Sequence, residues 1–311
     1  MTKKHVFGTC RLGILLLAVH AVNACGGTYS NDDIEFQTSV PSGDDLRPNI
    51  AAQLLGGSAE TYKLTYGVVQ TYRQILGVVG GILDHVRRYP ATKRTPNSRI
   101  WGPFDSDEHL AFHIRVSIER VPPSAATPSY QFAYSIDYGA KANGLFVPVI
   151  FGTFDPVGGV GEGSGVLNFD VDALRSIAFP IGKDVRELRF LNMKHVHQGG
   201  SRALVVHQTN LATAASPTAD LTYNESADGS ANTRFVMTLS ANLLAQEIDV
   251  VSAWRGDGAG RGEIKVTRGL AMGSVGTDCW GTSTIPTFVK RDWDPSASAG
   301  DAASCLLPPL R

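Results

Sequence analysis

From residue 109 onward the apolar residues fall at every second position, and this alternation decides the fold class. Leu110, Phe112, Ile114, Val116 and Ile118 alternate with small or polar neighbours, as do Tyr130, Phe132, Tyr134, Ile136 and Tyr138. A period of two sends one face of a strand to the core and the other to water. Residues 145–154 are apolar on both faces. Strand patterns follow near 161–171, 186–193, 203–209, 219–225, 233–241, 247–255 and 262–270. Pro122, Pro123 and Pro128 mark a turn, and Asp228-Gly229 and Asp257-Gly258 are hairpin signals. No long helical pattern intervenes after residue 90, whereas parallel strands need long crossovers. The expectation is a mainly β (α+β) protein: one large, curved antiparallel meander of about ten strands, forming a half-barrel or a barrel.

Residues 58–88 hold the one long helical pattern. Tyr62, Tyr66, Val69, Tyr72, Leu76, Val79, Leu83 and Val86 follow steps of three and four, with Val68, Ile75, Val78 and Ile82 covering much of the remainder. Such a helix, apolar nearly all round, is expected to be buried inside the curved sheet. Ser58 is placed to cap its start, and Pro90 ends it. Gly67, Gly77, Gly80 and Gly81 lower its helix propensity, which suggests close approach to another backbone. Tyr62, Tyr66 and Tyr72 are candidates to face a ligand, with core packing as the plainer account. Arg87, Arg88, Lys93, Arg94 and Arg99 form a basic cluster that reads as a solvated loop, or as a contact for anionic headgroups.

Gly159, Gly161, Gly163 and Gly165 also sit at alternate positions. A phosphate-binding loop would open a helix here, but Val166 to Asp170 continue as a strand. Gly161, Gly163 and Gly165 share a face with Leu167 and Phe169, leaving bare backbone against which the helix, or a ligand, is expected to lie. His195 and His197 face the same way in a strand, and His207 follows one strand later. Together they are weak candidates for a metal, since no acidic residue at motif spacing completes a set. There is no G-x-S-x-G elbow, no H-E-x-x-H and no D-x-D-x-D-G loop, and no cofactor is expected.

At the start of the chain, Lys3, Lys4 and Arg11 accompany an apolar run from Leu12 to Val22 that closes as Val22-Asn23-Ala24-Cys25. This describes an export signal over residues 1–24. The run is shorter than the roughly 18 residues of a bilayer span. A cysteine directly after the cut resembles the lipobox of bacterial lipoproteins. That resemblance implies lipidation at Cys25 and, with Gly26 next, an anchor in the outer membrane, facing periplasm or cell surface. Residues 25–48 read as a lipidated flexible tether, made acidic by Asp32, Asp33, Glu35, Asp44 and Asp45. Residues 49–311 read as one helix-plus-sheet domain. Losing the three basic residues of the signal moves the net charge from −1 to −4, which argues against nucleic acid as a partner.

With Cys10 in the signal and Cys25 lipidated, only Cys279 and Cys305 remain, and in an oxidising compartment they are expected to pair. Two zinc ligands are the alternative, but neither has a partner at C-x₂-C-like spacing. Cys279-Trp280, Phe288, Trp293 and Gly300-Asp301 before Cys305 resemble the tail of uncharacterised envelope lipoproteins from Gram-negative bacteria of the myxobacterial kind. The resemblance brings no known activity. Three functions compete: a non-enzymatic envelope lipoprotein with a structural or interaction role, an envelope protein being its partner in the latter case; a carrier or receptor for an apolar ligand such as a lipid; and, least favoured, a hydrolase or metal enzyme. An apolar cavity between helix and sheet favours the second.

Overall fold

The structure is a computed structural model that describes residues 31–50, 58–106, 109–125, 129–157, 161–182, 185–211, 218–241 and 244–310. Cys25 and the signal lie outside them.

The ten expected strands are all present as β3 (Phe112–Val121), β4 (Gln131–Ala140), β5 (Phe146–Pro156), β6 (Gly163–Asp170), β7 (Leu188–Gln198), β8 (Ser201–Asn210), β9 (Thr218–Glu225), β10 (Ala231–Ala241), β11 (Leu244–Trp254) and β12 (Gly260–Arg268). Five more extend the sheet: β1 (Lys93–Thr95) and β2 (Ser98–Asp105) before them, β13 (Val275–Trp280), β14 (Pro286–Arg291) and β15 (Ala299–Gly300) after them. The added strands are short or interrupted, which is why alternation alone does not reveal them. All fifteen pair antiparallel in sequence order, and the sheet stays open. Both edges are blunted, as exposed edges must be. β1 has three residues and carries Lys93 and Arg94. β15 has two, and the chain beyond it is stapled to β13 by the Cys279–Cys305 disulfide.

The long helix follows the expected pattern. We number the helices α1 (Asn31–Thr38), α2 (Gly43–Leu46), α3 (Glu60–Val86) and α4 (Val171–Ser176). α3 crosses the concave face transversely. At its first turn Thr61 meets Asp278 on β13, and just past its last turn the Tyr89 carbonyl accepts from Trp101 on β2. A 27-residue helix is about 40 Å long. Eleven strand spacings, from β2 to β13, amount to roughly 53 Å of flat sheet. The sheet therefore has to bow around the helix for both ends to make contact.

The start of α3 is capped differently from the expectation. Ala59 is the N-cap and offers no side chain, while Ser58 bonds Thr284. Asp278, fully buried on β13, instead accepts from the Thr61 N–H and hydroxyl and pairs with Arg291 at 2.6 Å. A carboxylate at a helix N-terminus is favourable by the same electrostatics as a local cap.

The acidic stretch differs most from its expected role as a tether. From Asn31 on it is part of the packed body, with Phe36, Val40 and Leu46 fully buried. Its acids meet the basic cluster. Asp33 pairs with Arg99 at 2.6 Å and with Arg94 at 3.1 Å, and Glu35 with Arg120 at 2.7 Å. Arg99 is 4% exposed and lies over the Phe36 ring, so this part of the cluster is neither solvated nor free for headgroups. Arg87 donates to the carbonyls of Gln37 and Val40. Neutralising charge in this way is what allows these residues to be buried.

Candidate functional site

The turns that follow odd-numbered strands line one rim of the sheet, and those that follow even-numbered strands line the other. Residues 31–50 run along the first rim, beside α3. Phe36 packs on Phe132 at the start of β4, Asp45 meets His197 at the end of β7, and the Asn49 N–H donates to Tyr223 on β9. On the second-rim side no such segment covers α3 among the described residues. There the helix face is Gly67, Thr71, Gln74, Val78 and Gly81, and Val78 is 61% exposed. The helix is thus not buried all round.

An apolar cleft of about 360 Å³ opens on that side between α3 and the sheet. Its floor comes from a β-bulge. Ile136 pairs with Ile150 and Asp137 with Pro148, leaving Val149 unpaired, so Val149 and Ile150 are both turned inward and buried. Bulges re-aim side chains in this way next to binding sites. The outer wall is the connection from β6 to β7. Asp170 caps α4 by accepting from the Ala173 N–H, and the chain then turns so that Phe179 meets His109, Phe112 and Tyr138 edge-on, 4.7–5.2 Å between ring centroids. The helix contributes Ile75, Val78 and Val79, and Phe169, Leu174 and Ile181 add to the lining. Thr71, Gln74 and His109 are among its few polar lining groups. A concave, mostly apolar site of this size falls within the range of small-ligand pockets.

The expected site residues distribute differently. Tyr62 is buried against Trp280, with Tyr66 stacked on it, so both belong to the packing at the helix start. Tyr72 borders a smaller cleft of about 140 Å³ and donates to Gln208. Burial, with the Asp220 carboxylate, holds its hydroxyl well above the ordinary phenol pKa. Gly161, Gly163 and Gly165 do not meet α3. A Cβ on Gly161 would strike Asp45, one on Gly163 would strike the Asp155 carbonyl and Phe154, and one on Gly165 would strike His195. The close helix contact is made by Gly80, whose added Cβ would lie 2.1 Å from the Gly43 Cα of α2.

The three histidines do not converge. His195 is 2% exposed, stacked on Phe154, with its Nε2 unpartnered among the described residues. Burial pushes it down to about 4, Asp45 opposing and His197 assisting. His197 pairs with Asp45 at 3.1 Å. His207 is exposed on the other face, paired with Asp220. Among the described residues no group of three His, Cys, Asp or Glu is placed to hold a metal ion, and no helix is long and apolar enough to cross a membrane.

Sequence reasoning passed over the residues that form the cleft. Two signals pointed there: the two-sided apolar run 145–154, and the apolar run Ile177 to Ile181 within the connection from β6 to β7. The chain matches no protein-family profile, no curated protein and no solved structure.

Proposed function

We propose that this chain is a non-enzymatic carrier or receptor for an apolar ligand, held in the cleft between α3 and the sheet, on a body anchored to the bacterial outer membrane by lipid at Cys25. The observation that carries the binding reading is the cleft itself, lined by Val78, left exposed on the helix, by Val149 and Ile150 at a bulge, and by Phe179. Leaving that apolar surface unfilled forgoes roughly 25 cal/mol per Å² of burial, which a ligand would restore. The anchor rests on the lipobox-like cut and makes the Cys25→Ser protein the soluble form to study. In that protein, N-phenyl-1-naphthylamine is expected to brighten on binding. Val78→Glu puts a charge at the cleft mouth from an already exposed position, so stability should change by less than about 0.5 kcal/mol while the dye signal is lost. A dye that stays dark with the parent, or brightens equally with Val78→Glu, overturns the reading.

A further inference from the structure

We infer that the ligand is a single long, unbranched acyl chain, threaded lengthwise beside α3 through three joined clefts. The inference rests on the binding reading above and names its ligand class.

Two smaller clefts flank the main one on the same side of the helix. One, of about 250 Å³, lies between Gly81, Ile82 and His85 of α3 and Phe104 and Ile114 of the sheet. The other, of about 140 Å³, lies between Val68 and Tyr72 and Leu221, Phe235 and Met237. Both adjoin the main cleft through a shared residue. Val78 lines the first pair, and Thr71 lines the second. These two residues are seven apart, two helical turns along the same exposed stripe. On this inference the three clefts act as one groove along the helix, from Val68 to Val86.

That groove is long and narrow. Eighteen residues of helix advance about 27 Å. An extended chain of single bonds advances about 1.2 Å per bond, by analogy with extended backbone. The groove thus accommodates on the order of twenty bonds. An extended peptide would present N–H and C=O groups to walls whose strands already pair on both sides. An acyl chain needs no such partners, and a compact or branched ligand would use the main cleft alone.

The helix side of the groove supplies an independent sign. Gly81 lines the second cleft, Gly67 lies on the same helix stripe just beyond the groove, both are exposed, and a Cβ on either would meet nothing within 4 Å. Nothing described in this chain requires glycine there, yet each lowers helix propensity. Bare backbone on that face deepens the groove for a chain lying against it.

The test is displacement of N-phenyl-1-naphthylamine from the Cys25→Ser protein by saturated fatty acids of about eight to twenty carbons. Affinity should rise about fourfold per added methylene, and continue to rise until the chain length approaches the whole groove. Thr71→Trp, at an exposed position, closes one junction. It should stop the rise at shorter chains than in the parent, whatever it does to the affinity of the shortest, since Thr71 also lines the main cleft. A lysophospholipid run beside the free acid of equal chain length distinguishes a membrane lipid from a free acid as the source of the chain, and length-dependent binding of either supports threading. Affinity that levels off near ten carbons in the parent overturns the inference, as does a branched ligand that binds as well as the linear chain of equal carbon number, or a length series unmoved by Thr71→Trp. Each of those results leaves dye binding, and so the apolar-ligand reading, intact. Absence of dye binding defeats both.

Discussion

The two long sides of α3 both carry glycine and end up differently. On the first-rim side α2 lies against the helix so closely that Gly80 and Gly43 touch through backbone, and Phe36, Val40 and Leu46 fill the space beyond. On the second-rim side the equivalent space is a row of clefts, and Val78 stands exposed above them. Gly80 and Gly81 are adjacent in sequence but have opposite surroundings. The first is glycine because another backbone occupies the place of its Cβ. The second has open space there. Packing among the described residues accounts for one side of the helix, and the proposed ligand would account for the other.

The sharpest way to break that comparison is to attack the filled side where it holds charge. Asp33 is 1% exposed and pairs with the buried Arg99. If residues 31–50 are part of the body, Asp33→Ala strips the buried Arg99 guanidinium of its close carboxylate, leaving only Asp32 at 4.0 Å, and should cost about 3–5 kcal/mol. Adding Arg99→Leu should restore much of the loss, because the orphaned charge is what destabilises. Urea unfolding of the three proteins decides. A silent Asp33→Ala would mean that the filled side is loosely attached and that the two sides do not differ.

His195 tests the same side through pH. Its folded pKa is about 4, against about 6.5 in an unfolded chain, because the neutral ring is buried beside Phe154. Between those values the unfolded state binds a proton that the folded state does not. Stability is therefore complete above pH 6.5 and falls as the pH drops towards 4, by up to roughly 3 kcal/mol from this group. His195→Leu removes the titration and should flatten the parent's pH dependence over that window. Parallel profiles for parent and variant would show the ring is not excluded from water.

How far this comparison was legible in the sequence depended on period. The ten long strands and α3 each repeat an apolar position often enough to fix their type. β1 and β15 have three and two residues, too few to show a period. Residues 31–48 hide their role for another reason. Phe36, Val40 and Leu46 are too widely spaced among acids to look like a core, and the arginines that neutralise those acids lie some sixty residues further on. The glycines of β6 were legible as close contacts, but the partner was not. Pairing with β7, not packing of the helix, puts a side chain, His195, beside Gly165. The cleft was hardest to read because it arises from a bulge and a connection, neither of which has periodicity.

The smallest expected effects compare the two sides most directly, since the variants are neighbours and the change is a single methyl group. Alanine is favoured over glycine in a helix by about 1 kcal/mol. At Gly80 that gain is opposed by a contact of 2.1 Å to backbone, which a methyl group cannot relieve by rotation. Displacing α2 should cost about 1–3 kcal/mol and leave Gly80→Ala less stable than the parent. At Gly81 the methyl group meets open space, so Gly81→Ala should be more stable by up to about 1 kcal/mol. If both variants are stabilised, α2 yields easily and the filled side is softer than its geometry suggests. If both are destabilised, Gly81 has a packing partner and the groove is not open. Opposite signs, with weaker long-chain binding for the more stable Gly81→Ala, would show that this glycine sacrifices helix stability for the ligand rather than for the fold.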